Sequence, residues 1–138
     1  MVIVTSTDPL YAARAVVLRD LAATRCDGPA EVSALEEAVS QRRWWVEQWP
    51  EGAPYAAGLV AQDVQDALLE TAGRWPLCPW CEEPDGGPAT HALHVDPDLG
   101  GPDPVWVCEE SATAVAPLGG LADLDGHELG GYGRREAG

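Results

Sequence analysis

Three of the four cysteines and two of the three histidines lie within one segment of the chain, residues 74–111. Cys78 and Cys81 are separated by two residues, the spacing at which two thiolates on a tight turn can both reach one tetrahedral metal ion. Three further candidate ligands follow: His91, His94 and Cys108. One more cysteine and one histidine would complete a Cys3His set, so the segment predicts a metal site.

The two candidate histidines differ in the direction their side chains are expected to take. If residues 91–96 form a β-strand, side chains alternate between its faces, and only one of the two histidines can face the metal. We expect this to be His91, because it stands where the chain leaves a Gly/Pro-rich turn and can approach the two cysteines. His94 remains the alternative ligand.

A second strand-like run, Val105–Cys108, follows the breaker-rich turn 99–104 and returns its cysteine towards the first pair. A CPxC turn, an antiparallel hairpin and a cysteine on the returning strand together resemble a zinc ribbon, over residues 76–118. Zinc ribbons repeat C-x2-C at the second turn, whereas this chain has Ser111 in that place. The resemblance implies one structural Zn2+ and four ligands: Cys78, Cys81, His91 and Cys108.

The C-P-W-C motif is also similar to the dithiol of glutaredoxin-like proteins. Those proteins place the motif at the N-terminus of a helix, whose dipole lowers the pKa of the attacking thiol. Residues 84–88 contain two prolines and two glycines, which stop a helix, and the preceding Glu82 and Glu83 raise a thiol pKa. A dithiol oxidoreductase is therefore the less favoured alternative, and a structural metal site without catalysis is expected.

The charge of the chain restricts its partners. Asp and Glu number 23 against eight basic residues, all arginine, for a formal net charge of −15 over 138 residues. Residues 76–138 hold twelve of the acids and two of the arginines, a net charge of −10. Because neutralising phosphates requires basic side chains, direct nucleic-acid binding is not expected. The charge fits a basic partner or simple solubility. The ligand spacing, and the lack of a nucleophile or acid/base constellation, favour an adaptor that binds a protein partner. An acidic decoy for the basic surface of a nucleic-acid-binding protein is the alternative.

The apolar segments of the chain are short. None approaches the length of a membrane span, and the N-terminal residues lack the basic and apolar regions of a signal peptide. We therefore expect a cytoplasmic protein with reduced thiols, in which C-x2-C binds metal or does chemistry and does not form a disulfide.

The elements that must position the site are three helices and three strands. Helix-start signals and periods of three and four predict helices from Pro9 to about Thr24, from Pro29 to about Trp49, and from Tyr55 to Ala72. Strands are expected at 91–96, 105–108 and 112–116. The predicted fold is α+β, in which a helical region (1–75) packs on a zinc-ribbon-like hairpin module (76–118). A flexible, Gly-rich acidic tail (119–138) follows, and residues 1–6 are expected to be a short strand or a frayed arm.

Two features have no assigned chemistry. The first is a tryptophan cluster next to Arg42 and Arg43, which either packs in a helical core or forms an exposed aromatic platform: Trp44, Trp45 and Trp49. Because the chain has no phenylalanine, the core interpretation is favoured. Cys26 has no cysteine or histidine near it in sequence, which predicts a partly buried residue without a function.

Overall fold

The computed structural model describes residues 8–97 and 103–124. Three helices are followed by a three-stranded antiparallel sheet and a short fourth helix, which confirms the predicted α+β fold. The elements are α1 (Pro9–Ala23), α2 (Pro29–Gln48), a 3-10 helix (Pro50–Tyr55), α3 (Ala56–Thr71), β1 (His94–Asp96), β2 (Val105–Cys108), β3 (Thr113–Pro117) and α4 (Leu121–Leu124). The arm expected at residues 1–6 lies outside the described residues.

Helix α1 begins as its sequence predicts. The Asp8 carboxylate accepts a hydrogen bond from the Leu10 N–H at 2.9 Å, and Pro9 occupies the first helical position, where its missing N–H costs nothing. The predicted apolar stripe is fully buried, and it consists of Leu10, Ala13, Val17 and Leu21. This stripe faces α2 and α3, so α1 is the centre of the helical layer.

Helices α2 and α3 supply the other two sides of that core. Leu35 and Val39 are buried residues of α2, and Val60, Val64 and Leu68 are buried residues of α3. Helices α1 and α2 begin at the predicted residues, and the other predicted bounds differ from the observed ones by one residue, an ordinary difference in helix assignment.

The tryptophans near the end of α2 do not fill the core, so the core interpretation is wrong for them. Trp44 is 63% exposed and Trp49 is 42% exposed. The fully buried residues of α2 end at Val39, and in its last turns the half-buried Val46 still packs against the core. There Trp45 and Trp49 stack edge to face with ring centroids 5.1 Å apart, and both rings cover Gly52 of the 3-10 helix. The aromatic surface at the end of α2 consists of Trp49, Trp45 and Trp44, which lies beside Trp45.

The sheet has the strand order β1-β2-β3, and every neighbouring pair is antiparallel. The predicted hairpin of β1 and β2 is present, with Val95 opposite Trp106. Strand β3 begins at Thr113, one residue later than predicted, because Ala112 has a positive φ of 56° and belongs to the preceding turn. A register shift lies between Trp106 and Val107 in the β2–β3 pairing.

The helical layer is joined to the sheet through α3 and the residues that follow it. The Gln65 amide donates to the carbonyls of Trp75 and Leu93, at 3.0 Å and 2.8 Å. The Trp75 indole is buried, donates to the Thr24 hydroxyl at 2.8 Å and meets the Trp106 ring edge to face at 5.5 Å. The expectation that α3 and Trp75 pack against the sheet is therefore confirmed.

A buried carboxylate makes a second connection. Asp20 of α1 is fully buried and accepts hydrogen bonds from the Trp106 indole N–H at 2.8 Å, the Gly119 N–H at 2.7 Å and the Leu121 N–H at 3.1 Å. Burial raises the pKa of this carboxyl, and the three donors oppose that rise. The chain stays on the core through Leu124, past the predicted start of the tail at 119. The rest of that tail lies outside the described residues.

Candidate metal centre

Four side chains from three parts of the chain meet beside the sheet. Cys78 and Cys81 lie in the turn region after α3, His91 in the loop before β1, and Cys108 at the end of β2. Their ligand atoms, three sulfurs and one imidazole nitrogen, all lie within 4.8 Å of one another. The structure thus brings together the four residues that the sequence predicts as a set, and their types and proximity are compatible with binding a metal ion.

Backbone pairing holds His91 beside the first cysteine. The Cys78 N–H donates to the His91 carbonyl at 3.0 Å, the Leu93 N–H donates to the Pro76 carbonyl at 2.8 Å, and Leu77 and Ala92 form an isolated antiparallel bridge. Strand β1 starts only at His94, so the segment 91–93 pairs with the chain entering the CPxC turn instead of with β2. This local pairing carries the imidazole to the cysteines.

Two of the distances between ligand atoms match those around a tetrahedral ion. Metal bonds of about 2.3 Å to sulfur and 2.0–2.1 Å to nitrogen at tetrahedral angles place neighbouring ligand atoms about 3.6–3.8 Å apart. The Cys81 and Cys108 sulfurs are 3.7 Å apart, and the Cys108 sulfur is 3.5 Å from His91 Nε2. A disulfide requires about 2.05 Å, so these thiols are positioned for coordination and not for a covalent bond.

Hydrogen bonds at the cluster favour a thiolate at Cys108. Burial opposes its ionisation, but hydrogen bonds from the Ser111 side chain and from the Ser111 N–H at 3.4 Å, together with contacts to His91 and Cys81, lower the pKa of Cys108 to about 6. The contact with Cys108, with burial adding to it, raises the pKa of Cys81 to about 12. Ser111, which stands where a zinc ribbon has its last cysteine, therefore supports a ligand through both its side chain and its backbone.

His94, the alternative ligand, takes no part in the cluster. Its Nε2 lies 3.0 Å from a carboxylate oxygen of Glu109, at the surface. Leu93 and Val95 are buried, so the alternation of side chains that separates His91 from His94 is present in the structure.

Burial differs among the four ligands. Cys78 and Cys108 are buried, whereas Cys81 and His91 are half-buried. Trp80, which the sequence places where it can cover the sulfurs, is instead 42% exposed. Cys26 is half-buried as predicted and lies outside the cluster, with its thiol 3.5 Å from the Thr24 carbonyl oxygen.

The segment after the CPxC turn lacks the helix that a dithiol oxidoreductase uses. Within the described part of the chain, residues 82–93 contain only isolated bridges, among them Glu82 with Pro88. No helix N-terminus is therefore available there to stabilise a thiolate of the motif.

The helices of the described segments include none that could span a lipid bilayer.

Comparison with known proteins gives one match. Residues 6–118 match the family described as Domain of unknown function (DUF8819), and this range includes all four clustered residues. No curated protein and no solved structure matches the chain.

Proposed function

The chain belongs to the DUF8819 family, and we propose that it is a zinc protein whose ion has a structural role. One Zn2+ is held by four residues: Cys78, Cys81, His91 and Cys108. The observation that carries this proposal is the grouping of three sulfurs and one imidazole nitrogen within 4.8 Å of one another.

The ligand types favour zinc over other common ions. Calcium and magnesium take oxygen ligands, whereas three thiolates and an imidazole in a tetrahedral arrangement suit Zn2+. Four protein ligands also fill the coordination sphere, and a catalytic zinc site keeps one position open for water. A closed site of this kind supports a structural ion, and we propose no reaction for it.

Native mass spectrometry of protein purified under reducing conditions tests the zinc proposal. We expect the mass to exceed that of the bare chain by one zinc atom less the displaced protons, and the ion to be lost in Cys81→Ser. Cys26→Ser is the matched control, because this fourth cysteine lies outside the cluster. A wild-type mass equal to that of the bare chain, with four thiols freely titratable, would remove the proposal.

We further propose that the zinc-stabilised unit works as a cytoplasmic interaction module for a protein partner. Two observations support this role: the aromatic surface of Trp44 and Trp49 at the end of α2, and a net charge of −15 that favours a basic partner. Large exposed aromatic side chains are enriched at sites of protein association. The same charge supports the alternative of an acidic decoy.

A cross-linking pull-down with three forms of the protein separates these roles. Trp44→Ser is compared with wild type and with Leu69→Ser, which removes another exposed apolar side chain from a different helix. For an interaction module we expect one partner to be lost only in Trp44→Ser. A complex that is insensitive to Trp44→Ser and dissolves at high salt favours the decoy, because surface electrostatic attraction is screened by salt.

A further inference from the structure

A cleft of about 570 Å³ lies behind the metal centre. Ala23 and Cys26 form one wall, and the chain entering and leaving the CPxC turn forms the other, including Trp75, Leu77, Pro79 and Ala89. Its lining is mainly apolar. Volumes of about 300–1,000 Å³ with apolar walls are typical of sites for small molecules.

The cleft lies where the helical layer meets the metal-binding module. Cys78 and Cys81 border it from the module side, and Ala23, at the end of α1, borders it from the helical side. Small-molecule sites occur preferentially at such junctions. Neither the structural zinc nor the aromatic surface on α2 makes use of this space.

Two opposite charges stand at the rim of the cleft without partners. Arg74 and Glu82 both border it, and neither forms an ion pair or a side-chain hydrogen bond with any residue in 8–97 or 103–124. Two other charged residues of these segments, by contrast, have partners: Arg42 pairs with Asp63, and Glu83 accepts hydrogen bonds from Thr90.

We propose that this cleft binds a small zwitterion with an apolar side chain, the chemistry of an aliphatic or aromatic α-amino acid. The carboxylate pairs with the Arg74 guanidinium, the ammonium pairs with Glu82, and the side chain enters the apolar space. Charge-assisted hydrogen bonds of this kind are stronger than neutral ones. A simple anion fits less well, because Glu82 shares the rim and the net charge of −15 repels anions at long range.

Leucine, phenylalanine and glycine are the probes, and the protein is the full chain purified with its metal. The readout is the rate at which N-ethylmaleimide alkylates Cys26, located by peptide mass spectrometry, because this thiol lines the cleft and lies outside the metal cluster. We expect leucine and phenylalanine to slow the alkylation. Glycine has no side chain to fill the apolar space, and we expect it to leave the rate unchanged.

Analogues with one charge removed test the two contacts at the rim. N-acetylleucine lacks the ammonium, and leucinamide lacks the carboxylate. We expect each to bind about fivefold to tenfold more weakly than leucine, which corresponds to a loss of about 1–1.4 kcal/mol in binding free energy. In Arg74→Gln the difference between leucine and leucinamide should disappear. In Glu82→Gln the difference between leucine and N-acetylleucine should disappear. Arg19→Gln is the matched control, an exposed arginine away from the cleft, and should bind like wild type.

Three outcomes overturn the inference: Cys26 alkylation unaffected by every probe at millimolar concentration, equal protection by glycine and leucine, or unchanged selectivity in both rim variants. Zinc per chain is measured on the same samples. Zinc without protection of Cys26 leaves the proposed function standing and removes this inference. Protection of Cys26 in protein that holds no zinc removes the proposed function and leaves this inference standing.

Discussion

The sheet is attached to the rest of the chain at two ends that use different chemistry. At the metal end, the cluster of Cys78, Cys81, His91 and Cys108 brings the CPxC turn, the loop before β1 and the end of β2 together. At the carboxylate end, Asp20 of α1 binds three N–H groups from β2 and from the chain around α4. Neighbouring thiols hold chain segments together firmly only when they bind a common ion. The Asp20 carboxylate does so through its hydrogen bonds and needs no ion.

Strand β2 belongs to both ends. Trp106 donates to Asp20, and Cys108, two residues further, joins the metal cluster. Both side chains are fully buried and lie on the same face of the strand, as a period of two requires. Strand β2 thus connects the hydrogen bonds of Asp20, which need no ion, to the cluster, whose four side chains would be linked by an ion.

The difference teaches how so small a sheet is held in place. Its strands have three, four and five residues, and sheets of this size are marginally stable without packing against other elements. The carboxylate end and the Trp75–Trp106 contact secure the side that faces α1. Four residues of the segment 76–93 are buried, namely Pro76, Cys78, Ala89 and Leu93, and the others are half-buried or exposed. We therefore expect the order of this segment to depend on the proposed ion.

Loss of the ion is the change with the largest expected effect. In Cys108→Ser, zinc binding should be lost, and with it binding free energy of about 10 kcal/mol that such sites couple to folding. We expect the amides of residues 76–93 to lose hydrogen-exchange protection while α1 and α3 keep theirs. Hydrogen exchange with mass spectrometry measures this, and treatment of the wild type with a chelator should reproduce the pattern.

Cys26→Ser serves as the control for that experiment and should exchange like the wild type. A Cys108→Ser protein whose whole exchange pattern and thermal unfolding match the wild type would show that the metal end is stable without an ion. The comparison between the two ends would then fail.

Removal of the carboxylate has the next largest expected effect. In Asp20→Asn, one acceptor oxygen becomes an NH2 group that faces a buried N–H, so at least one donor loses its partner. Leaving a buried polar group unsatisfied costs about 1–3 kcal/mol. Two such groups, the new amide NH2 and the N–H that it faces, would be unsatisfied in Asp20→Asn, so we expect a loss of about 2–4 kcal/mol in the free energy of unfolding. Urea unfolding at saturating zinc measures it.

The zinc content of Asp20→Asn should stay at one ion per chain, because the metal ligands do not contact Asp20. If Asp20→Asn unfolds within about 0.5 kcal/mol of the wild type, the range of an ordinary surface substitution, the carboxylate is not a structural link. If it also loses zinc, the two ends are a single unit.

A smaller loss is expected from Gln65, which lies between the two ends. Its amide donates to the carbonyls of Trp75 and Leu93, on either side of the CPxC turn. Gln65→Met keeps the length of the side chain and removes both donors, at an expected cost of about 1–2 kcal/mol. Gln41→Met is the matched control, since the Gln41 amide donates to Glu37 at the surface, and this change should alter stability by less than about 0.5 kcal/mol. Equal losses in the two variants would contradict the role of Gln65.

Local patterns predicted most of the elements and the clustered residues. The apolar spacing of α1 and the proline at the first position of each of the first two helices act within a few residues, so the sequence displays them directly. The spacing of Cys78 and Cys81 is equally local. Cys108 was predicted because a breaker-rich turn returns a strand by an antiparallel path, which needs no knowledge of the rest of the fold.

The carboxylate end could not be predicted, because its partners are distant in sequence. Asp20 lies next to Leu21 in α1, and its partners Trp106 and Gly119 are 86 and 99 residues away. The exposure of Trp44 was missed for a related reason, since only the packed structure shows that this side chain lies on the outward side of α2. A single polar residue inside an apolar stripe was the one available signal for Asp20.

Substitution of His94 has the smallest expected effect on stability, and its comparison with His91 tests which of the two histidines binds the ion. His94 pairs with Glu109 at the surface, where the carboxylate is 76% exposed, and such pairs contribute about 0–1 kcal/mol. We therefore expect His94→Asn to change the free energy of unfolding by less than about 0.5 kcal/mol and to keep one zinc per chain. His91→Asn, three residues away, should lose or greatly weaken zinc binding, because the amide replaces the nitrogen that lies 3.5 Å from the Cys108 sulfur. Native mass spectrometry of the two variants side by side decides the matter. Zinc loss in His94→Asn with retention in His91→Asn would mean that the ion selects the other histidine, and that the loop before β1 rearranges when the metal binds.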